Sequence, residues 1–168
     1  MPFGIIGAMS EEVSGLVAKL QNQTQTIIAG LTFYQGNLGN HSVIIVQSGI
    51  GKVNAAMCTQ ILIDQFKATA IINTGVAGGI SPQVKIGDIV ISHTAIHHDV
   101  DLTVFGHQPG IIPRMSESTF RSDEKLRDLA CQTASNILGS DKVHIGPIVS
   151  GDQFIATTKQ KAFLHETF

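Results

Sequence analysis

Three places in the chain set small residues directly behind a short apolar run, and this restricts the fold more than any other feature. Phe3–Ile6 runs into Gly7-Ala8, and Ser42–Val46 leads to Gly49-Ile50-Gly51. Ala70–Thr74 runs straight into Gly75-Val76-Ala77-Gly78-Gly79. Short β-branched runs bounded by glycine read as buried strands. In α/β sheets, ligands sit outside the carboxyl ends of the strands, where glycine lets the backbone approach closely. A tight turn alone accounts for any one of these loops. Three in one chain point to a pocket.

The intervening segments fill in an α/β chain. Ser10-Glu11-Glu12 opens a helix, with Ser10 suited to the N-cap and the carboxylates to the positive end of the helix dipole. Val13, Leu16, Val17 and Leu20 follow at helical spacing. Thr26–Ala29 and Leu31–Gln35 are strand candidates so closely spaced that hairpins must join them, with Asn37–Asn40 as one turn. Lys52–Phe66 reads as a helix and Asp88–Ser92 as a strand. Residues 93–118 read as a long loop of the functional or interfacial kind. Ser122 is the expected cap of a helix whose inner face is Leu126, Leu129, Ala130, Thr133, Ala134 and Ile137, closed by Gly139. Val143–Val149 is a strand, and Thr157 or Thr158 caps a last helix. The expectation is one domain, 1–168, with helices around a mixed sheet.

Composition excludes several classes. Net charge is −2 with a pI near 6.4, so there is no basic surface for nucleic acid. No apolar run reaches the length of about 20 residues that spans a bilayer, and the first residues lack a positive n-region. Two cysteines make no disulfide framework, so a cytoplasmic location is expected. Charged residues are 14% of the chain, against about 25% in an average globular protein. A surface covered by a partner subunit is consistent with that.

Familiar nucleotide motifs do not fit. A P-loop needs Ser or Thr after Gly51-Lys52, where Val53 stands, and glycine where Val46 stands. A dinucleotide fingerprint needs a third glycine at Asn54. His93, His97, His98, Asp99 and Asp101 lie close in sequence but lack a second ligand pair, so no metal site is expected. Cys58 reads as an inert core thiol, and Cys131 has no identified His partner. Ser150-Gly151-Asp152 lacks the nucleophile elbow of a serine hydrolase.

The glycine loops and their surroundings resemble a known family. Gly4-Ile5-Ile6-Gly7-Ala8-Met9-Ser10-Glu11-Glu12, Ser48-Gly49-Ile50-Gly51-Lys52-Val53-Asn54-Ala55-Ala56 and Ile71-Ile72-Asn73-Thr74-Gly75-Val76-Ala77-Gly78-Gly79 are similar to motifs of the bacterial 5′-methylthioadenosine/S-adenosylhomocysteine nucleosidases. So are Gly87-Asp88-Ile89-Val90, His98-Asp99-Val100-Asp101, Phe105-Gly106 and Val149-Ser150-Gly151-Asp152-Gln153-Phe154-Ile155. The motifs run in order along the whole chain. The resemblance implies a nucleoside phosphorylase-type fold, a three-layer α/β/α sandwich on a mixed sheet. It implies hydrolysis of the adenine–ribose bond of both nucleosides, with no metal or organic cofactor.

By the resemblance, Glu12 is the catalytic carboxylate that activates water. From the residues alone Glu12 is a helix-start residue that Glu11 matches equally well. The resemblance puts Ala8 and Met9 at the pocket entry and Ile50 near the ribose and 5′ substituent. It puts Val76, Ala77 and Gly78 against ribose and base, and Phe154 and Ile155 beside the adenine. For Phe154, ordinary core packing is the competing reading. Leu102, Phe105 and Pro113 match a loop that a partner subunit lends to the pocket, which implies a homodimer. Val76 stands where many relatives have Ser. Two family motifs, a Met-Glu pair and a Ser-Asp pair, are expected after position 168; Ser122-Asp123 and Ser140-Asp141 do not replace the second. The alternatives are a nucleoside phosphorylase of the same fold and a non-catalytic nucleoside-binding remnant.

Overall fold

The computed structural model describes residues 2–168. These residues form two compact units, one running to Ala77 and the other from Gly78 to Phe168.

The first unit is built on β1 (Phe3–Gly7), α1 (Ser10–Val17), β2 (Gln21–Ile28), β3 (Leu31–Leu38), β4 (His41–Gln47), α2 (Lys52–Asp64) and β5 (Ala70–Asn73). Its sheet order is β2-β3-β4-β1-β5. The first two pairings are antiparallel and the last two parallel, so the sheet is mixed as expected. Side chains alternate across a strand, and β1 and β4 use both faces. Ile6, Ile44 and Val46 pack with Cys58 and Leu62 of α2 on one side. Ile5, Val43 and Ile45 pack with Val13 of α1 on the other. Helix, sheet and helix thus form three layers within this unit. Leu62 is fully buried, a contribution of about 1.5–3 kcal/mol from its side chain. Burial also pushes the Cys58 thiol up, which keeps it protonated and unreactive.

The β2–β3 hairpin turns on Ala29 and Gly30, both with positive φ, 53° and 77°. That is the requirement of a tight two-residue hairpin turn. β2 starts five residues before the strand expected at Thr26. Its Gln21–Gln25 half is polar and exposed, so it shows no apolar alternation. β3 likewise extends through Leu38, leaving Gly39-Asn40 as the turn.

The second unit holds β6 (Ile89–His97), a 3-10 turn at Thr103–Phe105, β7 (Thr119–Arg121), α3 (Glu124–Leu138), β8 (Val143–Ser150) and α4 (Thr158–Thr167). Its sheet order is β7-β6-β8, with β6 antiparallel to β7 and parallel to β8. Three expectations are corrected. The loop expected from residue 93 starts only after His97, because β6 continues through a register shift between Ser92 and Thr94. Asp123, not Ser122, caps α3: its carboxylate accepts from the Leu126 N–H at 2.9 Å, while the Ser122 hydroxyl turns to the His93 carbonyl. The inner face of α3 is rotated, since Leu129 and Ile137 are 59% and 75% exposed while Cys131 is half-buried. Thr157 caps α4, accepting from the Gln160 N–H.

Asp88, just before β6, meets His144 of β8 at 2.9 Å. Its carboxyl is held below the ordinary aspartate value of 3.8, first by the Lys85 backbone N–H and then by His144. A lowered folded pKa contributes stability above the unfolded value and loses it as pH falls through the folded one. Asp88→Asn is therefore expected to lower the thermal midpoint at pH 6–7, with the difference from the parent shrinking below pH 3.8. A midpoint series against pH reads this directly.

Gly15 lies inside α1 with open space where a Cβ would stand. Gly15→Ala is expected to stabilise the protein by about 0.5–1 kcal/mol in a denaturant titration, through the helix cost of glycine.

Candidate active site

β4, β1 and β5 are parallel neighbours, so the loops after them open along one edge of the sheet. These are the three glycine loops. Backbone bonds hold them together past the strand ends: Ser48 N–H donates to the Gly7 carbonyl and Thr74 N–H to the Ile6 carbonyl, each at 2.9 Å. Ser48 is itself buried, with its hydroxyl donating to the Gly49 carbonyl at 2.8 Å.

Glu12 sits at this edge, half-buried, as the third residue of α1. Met9, not Ser10, holds the N-cap position, because Glu12 reaches back to cap this end of the helix itself. Its Oε2 accepts from the N–H groups of Ala8 at 2.7 Å and Met9 at 2.9 Å. Its Oε1 accepts from the N–H of Val76 at 2.9 Å. A carboxylate offers about four acceptor positions. Three are taken by backbone donors, and one on Oε1 is left for a further donor. Glu11 is different: it is exposed and accepts from the Ser10 hydroxyl at 2.9 Å. A bond from its own backbone N–H, and then that hydroxyl, hold its carboxyl below the usual range. The structure thus separates two carboxylates that the sequence leaves equivalent.

The other expected site residues divide between the units. In the first, Ala8, Met9 and Val76 converge on Glu12 through their backbone. Ile50 follows Gly49 with its side chain 76% exposed, and its carbonyl accepts from the Asn54 side-chain amide at 2.7 Å. Ala77 is exposed, as is Gly78, where the second unit begins. In the second unit Ile155 is half-buried and lines a cavity of about 190 Å³ with His98, Asp99, Gln160, Phe163 and Leu164. Phe154 is 92% exposed, so within these residues its ring is not part of a core. Leu102 starts the 3-10 turn, Phe105 is 76% exposed at its end, and Pro113 is half-buried.

The His/Asp cluster shapes the backbone. Asp101 accepts from the Thr103 N–H at 2.9 Å and hydroxyl at 2.7 Å, which lower its pKa. Asp99 accepts from the Asp152 N–H at 3.0 Å. Among the described residues no group of three His, Cys, Asp and Glu side chains is placed to hold a metal ion.

Residues 2–168 match the family model of the phosphorylase superfamily. The chain belongs to that superfamily. Within it the chain groups with the 5′-methylthioadenosine/S-adenosylhomocysteine nucleosidases. The relative from an Exiguobacterium species is 48% identical over 162 residues, 96% of this chain and 69% of its own length. The crystal structure of the Neisseria meningitidis nucleosidase, in complex with methylthio-immucillin-A, superposes with a TM-score of 0.93 at 37% identity. It covers 99% of this chain, which spans 71% of it. The Colwellia psychrerythraea nucleosidase, in complex with adenine, gives a TM-score of 0.89 at 42% identity, with all of this chain covering 69% of that one. The nucleoside phosphorylase-like α/β fold implied by the motifs is the fold observed.

Four features escaped the sequence reading: the Asp88–His144 pair, the buried Ser48, the Asn54 anchor of the Ile50 loop and the closeness of Gly75 to Glu12. None of the four has a local sequence signal; the first follows only once the parallel β6–β8 register is known.

Removing the Glu12 carboxylate strands three backbone donors. Glu12→Ala is expected to cost about 1–3 kcal/mol of stability, while Glu11→Ala stays within about 0.5 kcal/mol as an exposed change. Chemical denaturation of the two variants checks this.

Proposed function

We propose that the protein hydrolyses the N-glycosidic bond of 5′-methylthioadenosine and S-adenosylhomocysteine, releasing adenine and the thioribose product, with Glu12 activating the water. The observation that carries this is the Glu12 carboxylate, held by three backbone N–H groups at the strand ends with one acceptor position open. A water donating to that position is both oriented and ready to lose its proton. Cleavage of the C1′–N9 bond builds positive charge on the ribose, as in glycoside hydrolysis. The water oxygen bonds C1′, its proton passes to Glu12, and the electron pair of the broken bond leaves with adenine, which must itself take up a proton. The complexes of the Neisseria relative with methylthio-immucillin-A and of the Colwellia relative with adenine support the substrate class.

In this reading Ala8 and Met9 line the entry, and Ile50 packs by the ribose and 5′ substituent. Val76, Ala77 and Gly78 bring backbone to ribose and base. Phe154 stacks on adenine, and the Ile155 backbone reads its edge. Aromatic and apolar walls with few polar groups suit a nucleoside. Leu102, Phe105 and Pro113 complete the 5′ end from the partner in a homodimer. The exposed Val104 and Phe105 side chains support that contact. The working compartment is the cytoplasm. In this reading a ribose-binding Glu and an adenine-protonating Asp come from sequence that matches the rest of the relatives' length.

The assay is adenine release with and without phosphate. It uses the chain alone and the chain extended with the matching C-terminal segment of the Exiguobacterium relative. Release by the extended chain without phosphate is expected, with little from the 168 residues alone. Strict phosphate dependence would favour the phosphorylase reading, although Lys52 is the only basic residue in the three loops. In the extended chain Glu12→Gln should cost about 10²–10⁴-fold in turnover with nucleoside binding retained. Glu11→Gln should be mild, because consecutive helix residues point about 100° apart. Equal losses from the two would overturn the assignment of Glu12.

A further inference from the structure

We propose that Gly75 is a positioning residue for Glu12, and that the hydrogen atom in place of a side chain there is what admits the carboxylate. A Cβ built on Gly75 stands 2.5 Å from Oε1, 2.9 Å from Cδ and 3.2 Å from Oε2 of Glu12. All three distances are to the carboxylate group and none to backbone. Gly75 is not among the glycines with positive φ. Its φ therefore makes no demand for glycine, and the demand that remains is steric. The other glycines near this edge have different reasons. Gly49 and Gly51 carry positive φ. Gly7 is crowded by core packing, its Cβ falling 2.6 Å from Val13 Cγ1 and 3.0 Å from Glu12 Cβ.

The next residue explains why the seat matters. Val76 donates its N–H to Glu12 Oε1 while its side chain is 84% exposed. The β5 loop thus supplies a donor at 76 and a vacancy at 75, and both address the oxygen that carries the open acceptor position. A methyl group at 75 must push that oxygen away. The displacement breaks the Val76 bond and re-aims the lone pair left for water. The functional part of this proposal rests on the reading of Glu12 as the base, and the steric part does not.

A double-mutant cycle tests the steric part on the 168-residue chain. Gly75→Ala is expected to lower the thermal midpoint by about 5 °C, the scale of a 1–2 kcal/mol loss in a domain of this size. In a Glu12→Ala background, where the carboxylate is gone, the same change is expected to cost less than about 1 °C. Gly7→Ala is the control: its clash with Val13 persists, so its cost survives in that background. Backbone amide exchange by NMR gives a local readout, since the Val76 N–H should lose its protection in Gly75→Ala as it does in Glu12→Ala. A Gly75→Ala penalty undiminished by Glu12→Ala, or a Val76 amide still protected, overturns the proposal. In the extended chain Gly75→Ala should lower kcat about 10²-fold with KM little changed, the effect of a catalytic group displaced by about 1 Å. Unchanged kcat, with Glu12→Gln inactive, also overturns it. If Glu12→Gln keeps its activity, the base reading fails instead, and the cycle and exchange data still decide whether Gly75 seats the carboxylate.

Discussion

A helix begins with N–H groups that have no partner within the helix. In α1 this deficit organises the whole edge of the sheet. Glu12 meets part of it, taking the N–H of the N-cap Met9 together with that of Ala8 before it on one oxygen, and its other oxygen accepts from Val76, far along the chain. Bonds of this type, with an ionised acceptor, are about twice as strong as neutral ones. One side chain therefore caps its own helix and ties the turn after β1 to the loop after β5. The same carboxylate that holds the two loops in register is the group the proposed mechanism offers to water. Its geometry is fixed by backbone donors, which have no rotamers to lose.

This arrangement depends on close approach. α1 lies near enough to β1 that Gly7 has no room for a Cβ beside Val13, and α2 lies near enough that Gly4 has none beside Leu62. The residues holding the helices down are buried on both faces, with Ile5 and Ile45 under α1 and Ile6 and Val46 under α2. The loops beyond the strand ends have the opposite character. Ile50 and Val76 keep most of their side chains exposed, so their apolar surface adds little to the core.

Much of this was legible in the sequence because the buried strands announce themselves. Phe3–Ile6 and Val43–Val46 are continuous apolar runs, and the glycines after them mark where the backbone turns. β2 was half missed because Gln21–Gln25 pairs through its backbone at an exposed edge, where no apolar pattern is needed. The face of α3 was misplaced because Leu129 and Ile137 sit on its exposed side, and apolar periodicity cannot say which apolar stripe is covered. The two caps were misread for one reason. Ser10 and Ser122 are good capping residues by type, but α1 already starts at Ser10, with Glu12 accepting from the N–H of the N-cap Met9, and Asp123 takes the Leu126 N–H of α3. The site was legible as three loops and a pair of adjacent glutamates. Choosing between Glu11 and Glu12 required knowing which carboxylate turns toward β5, a contact that no local pattern encodes.

Val76 illustrates how the structure changes the weight of a sequence difference. The family resemblance leads one to expect Ser at this position, and Val lacks the hydroxyl that a Ser would offer. The bond from residue 76 to Glu12, however, comes from the backbone N–H, which every residue but proline supplies. The exchange therefore leaves the anchoring of the carboxylate intact. Its effect is confined to the exposed side chain, where it replaces a polar contact with an apolar one. In the proposed mechanism such a change bears on the grip on a sugar hydroxyl and not on the activation of water. Position 75 is the reverse case, because there φ makes no demand for glycine and any Cβ must displace the neighbouring carboxylate.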